Sequence, residues 1–503
     1  MTIKNKIGVS IAVLALGVGC SMLPSVGPDY EKPVMEVPEL GMPDAGAPTT
    51  NRTAIGEFEA ASSNDDVRAS ITTNDVKNWW YRLEDEKLDE LVSLSVSNNI
   101  SFLMACDRME ASRWELLGTY AAYLPKFEMN GSAMRSDFHR YTSTQYNSYK
   151  ATGDKYARND VFRGGFDATW EIDIFGGSRR TTESAWALAQ AAGWSVADAW
   201  VSLTSEVASR YIELRTTQQR IAVARTNLVL QTETYEILKS RLDSGIGDEL
   251  AVNQSKYIVE QTHAKIPQLL AQEEKLKNAL AVLIGVIPGY LHDNLEDCPD
   301  RDWLLEPKKL ANTPTDMIRQ RPDVRVAERK LAAQVARVGV AKAQWYPRLF
   351  INGSIGLESV KIQKFLNKGD FYGSIGPSVS WPIFQGGSIY ASVKAEEARM
   401  DEAFLNYELT LQTAYGEVRN CYSAYTQEYH RYEALKVAVK AAQEAVAISK
   451  NLYRTGLKDF TAVIDAQRSL LNLEEEMVIS RGQITANLIA LYKSLGGGLY
   501  YEF

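Results

Sequence analysis

The sequence predicts an α+β membrane protein with an internal two-fold repeat, in which each half supplies two β-strands and one very long helix. Residues 162–180, FRGGFDATWEIDIFGGSRR, alternate apolar and polar side chains with the period of a β-strand and end at Gly176 and Gly177. Residues 371–388, FYGSIGPSVSWPIFQGGS, repeat the alternation and the glycine pair about 209 residues later. After each pair a helical composition predicts a helix of roughly 65 residues, against about 8–20 in globular proteins.

Both halves follow one order of elements: helix, strand, strand, long helix, turn and shorter helix. In the first half we expect a helix at 101–122 with Ser101 as its N-cap, strands at 126–136 and 162–174 around a polar loop at 138–161, and helices at 178–244 and 248–283. In the second half we expect a helix that starts at Pro322, strands at 349–357 and 371–383, and helices at 388–455 and 460–495. The predicted strand-helix junctions are Pro125, Gly176 and Gly177 in the first half, and Pro347, Gly386 and Gly387 in the second.

The N-terminus has the composition of a secretory signal. Lys4 and Lys6 precede an apolar run at 7–18, which is too short to span a bilayer as a helix. The run ends in Cys20, in a context that resembles a lipoprotein cleavage site, although Gly17 departs from the usual pattern. We therefore predict lipidation of Cys20, with ordinary signal cleavage near the same point as the alternative.

Composition narrows the class of protein. The net charge of −8 gives no basic face for nucleic acid. The four cysteines are too widely spaced for a disulfide framework. The four histidines show no metal-ligand spacing, and no nucleophile or phosphate-binding motif is present in the sequence. We expect no catalytic residues, no metal and no cofactor, and hence no enzyme.

The strands predict a membrane barrel that several chains share. Their apolar faces end in aromatic residues, as in the outer band of a membrane barrel, although a soluble sandwich also alternates apolar and polar side chains. Four strands cannot close alone, because the smallest membrane barrels need about eight and open edges are not tolerated in lipid. Three chains give about 12 strands and a lumen wide enough for water. The helices then continue the barrel as an α-helical tube, on the order of 100 Å long.

The chain resembles the TolC-like outer membrane efflux lipoproteins, in the NodT/OprM branch. The residues that carry the resemblance are Cys20 with Pro28-Asp29-Tyr30, Trp170 to Gly176, Gln320 to Val324 with Ala327-Glu328, Tyr453 to Gly456, Asp465 to Ser469, and Leu491 to Gly498. The resemblance implies a homotrimeric exit duct, lipid-anchored in the outer membrane and extending into the periplasm. Its implied partners are a periplasmic adaptor (a membrane fusion protein) and an inner-membrane transporter of the RND class, and its cargo would be drugs or other small toxic compounds.

The resemblance also assigns functional residues to the helical tips. It implies a periplasmic gate at Tyr453, Lys458 and Asp465, and adaptor docking at Gly245, Gly247, Thr455 and Gly456. Ala251 and Ala462 stand where relatives often carry aspartate, and Asp248, Glu249 and Asp459 are nearby candidates to replace them. The alternative for Asp465 is an ordinary solvated helix charge.

The predicted organisation is a signal peptide at 1–19, a lipid-anchored tether at 20–75, the first repeat at 76–285, an equatorial connector at 286–317, the second repeat at 318–498 and a tail at 499–503. Three other functions remain open. They are a duct for type I protein secretion, a periplasmic coiled-coil scaffold without a pore, and a diffusion porin.

Overall fold

The computed structural model describes residues 25–33, 78–139, 156–292, 294–295, 315–363, 365, 370–455 and 457–497. The predicted signal peptide, Cys20, Gly456 and the C-terminal tail lie outside these residues, as does most of the predicted connector. The helices are α1 (Glu86–Asn98), α2 (Ile100–Tyr120), α3 (Gly177–Asp243), α4 (Glu249–Leu283), α5 (Thr315–Gln320), α6 (Pro322–Ala343), α7 (Ser388–Arg454) and α8 (Phe460–Ser494). The strands are β1 (Lys126–His139), β2 (Tyr156–Ile172), β3 (Arg348–Ser359) and β4 (Asp370–Ser380).

The two long helices are confirmed almost to the residue. α3 and α7 each have 67 residues, and α4 and α8 each have 35. α4 runs through Pro267 without ending, although proline removes one helix hydrogen bond. No helix among the described residues combines the length and apolar composition needed to cross a lipid bilayer.

The chain forms two compact units. The first contains Met1–Pro33, Glu110–Ala191 and Ala327–Asn406, and therefore holds all four strands. The second contains Val34–Met109, Ala192–Val326 and Tyr407–Phe503.

The first unit is built on an antiparallel sheet in the order β1-β2-β3-β4. Its register places one apolar row across all four strands, Phe127, Ala168, Gly353 and Ile375, beside a polar row of Glu128, Asp167, Ser354 and Ser374. Paired residues share a face, so the sheet has one apolar and one polar side. Phe127 is 74% exposed and Ile375 is 84% exposed, so the described residues leave the apolar side uncovered at both ends of this row.

Several predicted strand limits were wrong. β1 continues to His139 and β2 begins at Tyr156, so both extend into the predicted loop at 138–161. The polar composition hid this extension, which is held by cross-strand contacts such as the Arg135–Asp160 ion pair at 2.7 Å. At the other limit, β2 ends at Ile172 and β4 at Ser380. Ile174, Trp381 and Ile383 therefore lie beyond the strands.

The second unit ties the ends of its helices to the segment around α1. The Trp79 ring stacks on Tyr492 near the end of α8, with 5.7 Å between ring centroids. At the end of α4, the Asn99 side chain donates to the Leu283 carbonyl at 2.9 Å. Gly285 and Gly496, just beyond α4 and α8, both have positive φ, which a residue with a Cβ rarely adopts. Equivalent helix ends in the two halves are thus closed in the same way.

Candidate functional sites at the helical tips and strand-helix junctions

The first tip is a tight helix terminus that requires glycine. The Ile246 N–H donates to the Arg241 carbonyl at 3.1 Å, and the Gly245 N–H donates to the Leu242 carbonyl at 2.9 Å. These two bonds form a Schellman motif, in which the residue at the Gly245 position takes positive φ, here +75°. A Cβ on Gly247 would lie only 2.6 Å from the Leu242 Cα. Both glycines therefore have a conformational reason to be present.

The second tip contains a bond equivalent to the Ile246–Arg241 bond of the first tip. The Leu457 N–H donates to the Leu452 carbonyl at 3.0 Å. The Thr455 hydroxyl donates back to the Leu452 carbonyl, also at 3.0 Å. The intervening Gly456 lies outside the described residues. Each tip turn exposes a large apolar side chain, Ile246 in the first and Leu457 in the second.

A hydrophobic cluster joins the two hairpins behind their tips. Its members are Leu238, Ala251, Val252 and Ile258 from α3 and α4, and Phe460, Val463 and Ile464 from α8. Tyr453 packs against this cluster, edge-on to Phe460 at 5.1 Å, and the Arg241 guanidinium lies 5.8 Å from its ring centre. Tyr453 is thus a packing residue of the tip within one chain.

The other predicted gate residues are placed differently. Lys458 and Asp465 are exposed, and within the described part of the chain neither forms an ion pair. Ala251 is buried in the cluster, where an aspartate would lose its hydration, which accounts for the absence of a carboxylate there. Asp248 caps α4 by accepting from the Leu250 N–H at 3.0 Å, whereas Asp459 makes no side-chain cap.

A charged network above the tips was missed from the sequence. Three consecutive glutamates on α8 each contact a different set of partners. Glu474 accepts from Asn227 at 3.1 Å, Glu475 accepts from Arg220 at 2.6 Å and Lys265 at 3.3 Å, and Glu476 lies 3.4 Å from Arg431. Together they connect α8 with α3, α4 and α7. The run of three glutamates was the available signal, but a charge run on a helix is usually solvated.

Burial and pairing act in opposite directions on Glu475. Burial raises the pKa of its carboxyl, but the hydrogen bond from Arg220 and the charge of Lys265 outweigh burial, so the pKa lies below its ordinary value. Glu475 is therefore ionised at neutral pH and binds both cations.

In each half, a tryptophan side chain forms a hydrogen bond between the two strand-helix junctions. The Trp170 indole N–H donates to the Tyr123 carbonyl, and the Trp381 indole N–H donates to the Trp345 carbonyl, both at 3.0 Å. Each acceptor lies two residues before the junction proline, Pro125 or Pro347. The aromatic residues at the strand ends thus hold the first and last strand of each half together.

Residues 25–33, inside the predicted tether, pack on the first junction. The Val26 N–H donates to the Phe175 carbonyl at 3.1 Å, and the buried Arg180 donates to Asp29 at 2.6 Å. The Tyr30 hydroxyl donates to Glu328 at 3.1 Å. Asp29, Tyr30 and Glu328 belong to motifs that carried the family resemblance, and their positions give those motifs a structural role.

Arg321 is the centre of a buried polar group in the second unit. It donates to the Ser494 carbonyl at 2.7 Å, to Asp323 at 2.7 Å and to Glu417 at 2.8 Å. A cavity of about 290 Å³ beside it is also lined by Asp198, Cys421 and Lys493. Burial, and then repulsion from Asp323, raise the pKa of Asp198.

The chain belongs to the outer membrane efflux protein family, whose sequence model matches residues 91–286 and 313–497. The two matched segments correspond to the two halves of the chain. The protein is therefore an outer membrane efflux channel protein.

Particular relatives agree with this assignment. Nodulation protein T of Rhizobium leguminosarum bv. viciae is 29% identical over 97% of this chain and 92% of its own length. Outer membrane protein OprJ of Pseudomonas aeruginosa is 27% identical over 98% and 96%. Among solved structures, the outer-membrane channel OprN is 30% identical, covers 94% of this chain and 99% of its own, and gives a TM-score of 0.80. The open-state MtrE channel of Neisseria gonorrhoeae is 25% identical over 94% and 98%, with a TM-score of 0.74.

Proposed function

We propose that three copies of this chain form the exit duct of a tripartite efflux pump, through which small toxic compounds leave the cell passively. One observation supports the proposed trimer. The four-stranded sheet has two unpaired edges, β1 and β4, and an exposed apolar face. Unpaired edges are excluded from lipid, and four strands are too few to close. Three copies supply 12 strands, with the Glu128–Ser374 row facing a water-filled lumen.

The pump has two further components in this proposal, a periplasmic adaptor and an inner-membrane RND transporter. The adaptor docks at the tips, on a surface formed by Gly245, Gly247, Thr455 and Gly456. The Schellman bonds support this role, because they hold the tip backbone in one compact shape. The domain limits set out from the sequence, including the two repeats, belong to the same proposal.

Replacing Gly456 with tryptophan tests the docking surface. We expect the variant to assemble as trimers but to lose pump function, measured as increased drug susceptibility of cells that depend on this duct. The control is Lys440→Trp, at an exposed position of α7 about four helical turns from the tip, and it should keep pump function. Retained resistance in the Gly456 variant would contradict docking at this tip.

The gate is formed by Asp465 with Lys458, and Tyr453 supports it from within the tip cluster. The exposed Asp465 carboxylate supports the proposal, because three copies bring three like charges to one ring.

Cys20 carries a lipid that anchors the duct in the outer membrane. Residues 25–33 support this, because the Val26–Phe175 bond holds the chain at the junction only a few residues after Cys20. Intact-mass measurement of the mature protein tests the anchor, and an unmodified N-terminus that begins beyond Cys20 would contradict it.

The main alternative is a duct for type I protein secretion. Co-purification with an RND transporter rather than an ABC exporter distinguishes the two. Conductance of the purified trimer in a planar bilayer separates both from a scaffold without a pore.

A further inference from the structure

A cavity of about 320 Å³ lies in the first unit, between the ends of α2, α3, α6 and α7 that adjoin the strands. Polar side chains line it from all four helices: Thr119, Ser184, Arg337, Ser392 and Glu396. Small and aliphatic side chains form the rest of its wall, among them Ala185, Leu188, Val340 and Ala341. A cavity of this size, mostly apolar with a few polar groups, is typical of a small-molecule site.

Arg337 supplies the positive charge of the cavity wall. Within the part of the chain that the structure describes, its guanidinium forms no ion pair and no hydrogen bond. The carboxylate in the same wall, Glu396, is already bound, because it accepts from the Gln334 amide at 2.5 Å and pairs with Arg399. The Arg337 charge is therefore uncompensated. A guanidinium presents planar N–H donors that match the oxygens of a carboxylate or another oxyanion.

Ser184 supplies a second donor to the cavity. It is only 5% exposed, yet among the described residues its hydroxyl has no hydrogen-bond partner. Serine and threonine within a helix commonly bond a carbonyl of the preceding turn. Thr181 and Thr182 do so, donating to the Gly177 and Ser178 carbonyls at 2.9 and 3.1 Å. Because a buried polar group without a partner costs free energy, the Ser184 hydroxyl favours a ligand that accepts a hydrogen bond.

We infer that this cavity binds an organic anion with one oxyanion head and a compact apolar body. The Arg337 guanidinium and the Ser184 hydroxyl donate to the oxygens of the head. Leu188, Val340 and Ala341 contact the body. Charge selects the head, since no free carboxylate opposes Arg337 in the cavity wall, and the aliphatic wall selects the rest of the molecule.

The site opens toward the polar side of the sheet. A neighbouring cavity of about 200 Å³ shares Thr181 and Val340 with it and is also lined by Glu171. Glu171 lies four residues after Asp167 on β2, so the two side chains share the polar face. In the proposed trimer this face lines the lumen, which places the anion site on the export route. That placement rests on the proposed function, whereas binding itself does not.

Equilibrium dialysis of naphthoate against the full-length protein in lipid nanodiscs tests the binding. Arg337→Gln should weaken naphthoate binding by about tenfold or more, and Ser184→Ala by about threefold, because each removes a donor to the carboxylate. The uncharged isostere naphthamide should bind weakly to every variant. Lys330→Gln is the matched control, since Lys330 is an exposed cation on the same face of α6 about two turns away and should leave binding unchanged.

Three results would overturn the site. They are unchanged naphthoate binding in Arg337→Gln, equally tight binding of naphthamide, and an equal loss in Lys330→Gln. Melting temperatures of the variants show that each is folded. Because Arg337 is exposed and Ser184 makes no internal hydrogen bond, neither substitution should lower the melting temperature appreciably.

A thiol placed at Ser392 tests whether the site faces the lumen. In a background with Cys106→Ser, Cys298→Ser and Cys421→Ser, Ser392→Cys is modified with a maleimide-linked polyethylene glycol. We expect the conductance of the trimer in a planar bilayer to fall after modification. Unchanged conductance after complete modification, verified by mass, would contradict the luminal placement and leave the duct intact. Absence of conductance before modification would contradict the proposed duct instead, while the dialysis result would still stand.

Discussion

At the scale of single residues, adjacent glycines at the first junction meet different demands. Gly176 has φ of +85°, and a Cβ there would lie 2.7 Å from the Ser25 Cβ. Gly177 is the first residue of α3, and its added Cβ would lie an ordinary 3.4 Å from the Ala343 Cβ. The two glycines are adjacent in one motif, but a different physical reason accounts for each.

Gly176→Ala is expected to lower the free energy of unfolding by about 1–3 kcal/mol, because it combines an unfavourable φ with a clash. Thermal unfolding of the purified protein measures the change. Gly177→Ala is the control and should be near neutral or slightly stabilising, since alanine favours helix. Equal losses in the two variants would contradict this account.

Asp198→Asn is expected to raise the melting temperature at pH 7. The Asp198 carboxyl is faced by Asp323 and Glu417 and by the cations Arg321 and Lys493. Because the pKa of Asp198 is raised in the folded protein, ionisation of this carboxyl destabilises the fold. The destabilisation grows as the pH rises from the ordinary aspartate pKa through the folded pKa. The gain from Asp198→Asn should therefore be full above that window and absent below about pH 3.8.

Melting curves at pH 7 and at acid pH measure this dependence, with Asp401→Asn as a control at an exposed position outside the cavity. A gain of equal size at both pH values would mean that the Asp198 charge is not responsible.

The N-cap of α2 lies two residues before the predicted one. Ser101 was the predicted N-cap of the α2 helix, but this is wrong, because Ser101 lies inside the helix. The Asn99 side chain accepts from the Phe102 N–H at 2.9 Å and takes that place. Asn99 also donates to Leu283, a residue far along the chain, and this tertiary contact could not be seen in the sequence.

At the scale of elements, the three glutamates of α8 restrain the hairpins above their tips. Glu475 contacts Lys265, two residues before Pro267, where α4 lacks a backbone donor. The network thus contacts α4 next to the residue whose backbone donor is missing.

Glu475→Gln should increase amide hydrogen exchange in α4 and α8 around this level at pH 7. The pKa of the Glu475 carboxyl is lowered in the folded protein. The stabilising effect of Glu475 is therefore present above the ordinary glutamate pKa of 4.5 and is lost as the pH falls through the lower folded pKa. The variant and the unmodified protein should therefore converge at acid pH.

The control is Glu476→Gln, because Glu476 is half exposed and its contact with Arg431 is longer, at 3.4 Å. Exposed pairs contribute little, about 0–1 kcal/mol. Unchanged exchange in the Glu475 variant at every pH would show that the network does not restrain the helices.

At the scale of the whole molecule, the proposed gate leads to a test of ion selectivity. Asp465→Asn should reduce the preference of the trimeric channel for cations, because three carboxylates are removed from one ring. Reversal potentials in planar bilayers under a salt gradient measure the effect. Asp459→Asn tests the other candidate gate carboxylate of this tip, and a selectivity change of equal size there would contradict the assignment of the filter to Asp465.

The sequence by itself determined the repeat, the four strands and the two 67-residue helices, because period and helix-ending residues are local signals. The tertiary structure decided the features that local signals do not determine. The ends of β1 and β2 follow from cross-strand pairing of polar residues, and the charged network on α8 joins helices that lie far apart in sequence. Asp29 shows the difference most clearly: the composition around it indicated a tether, whereas the buried Arg180 binds it to the junction.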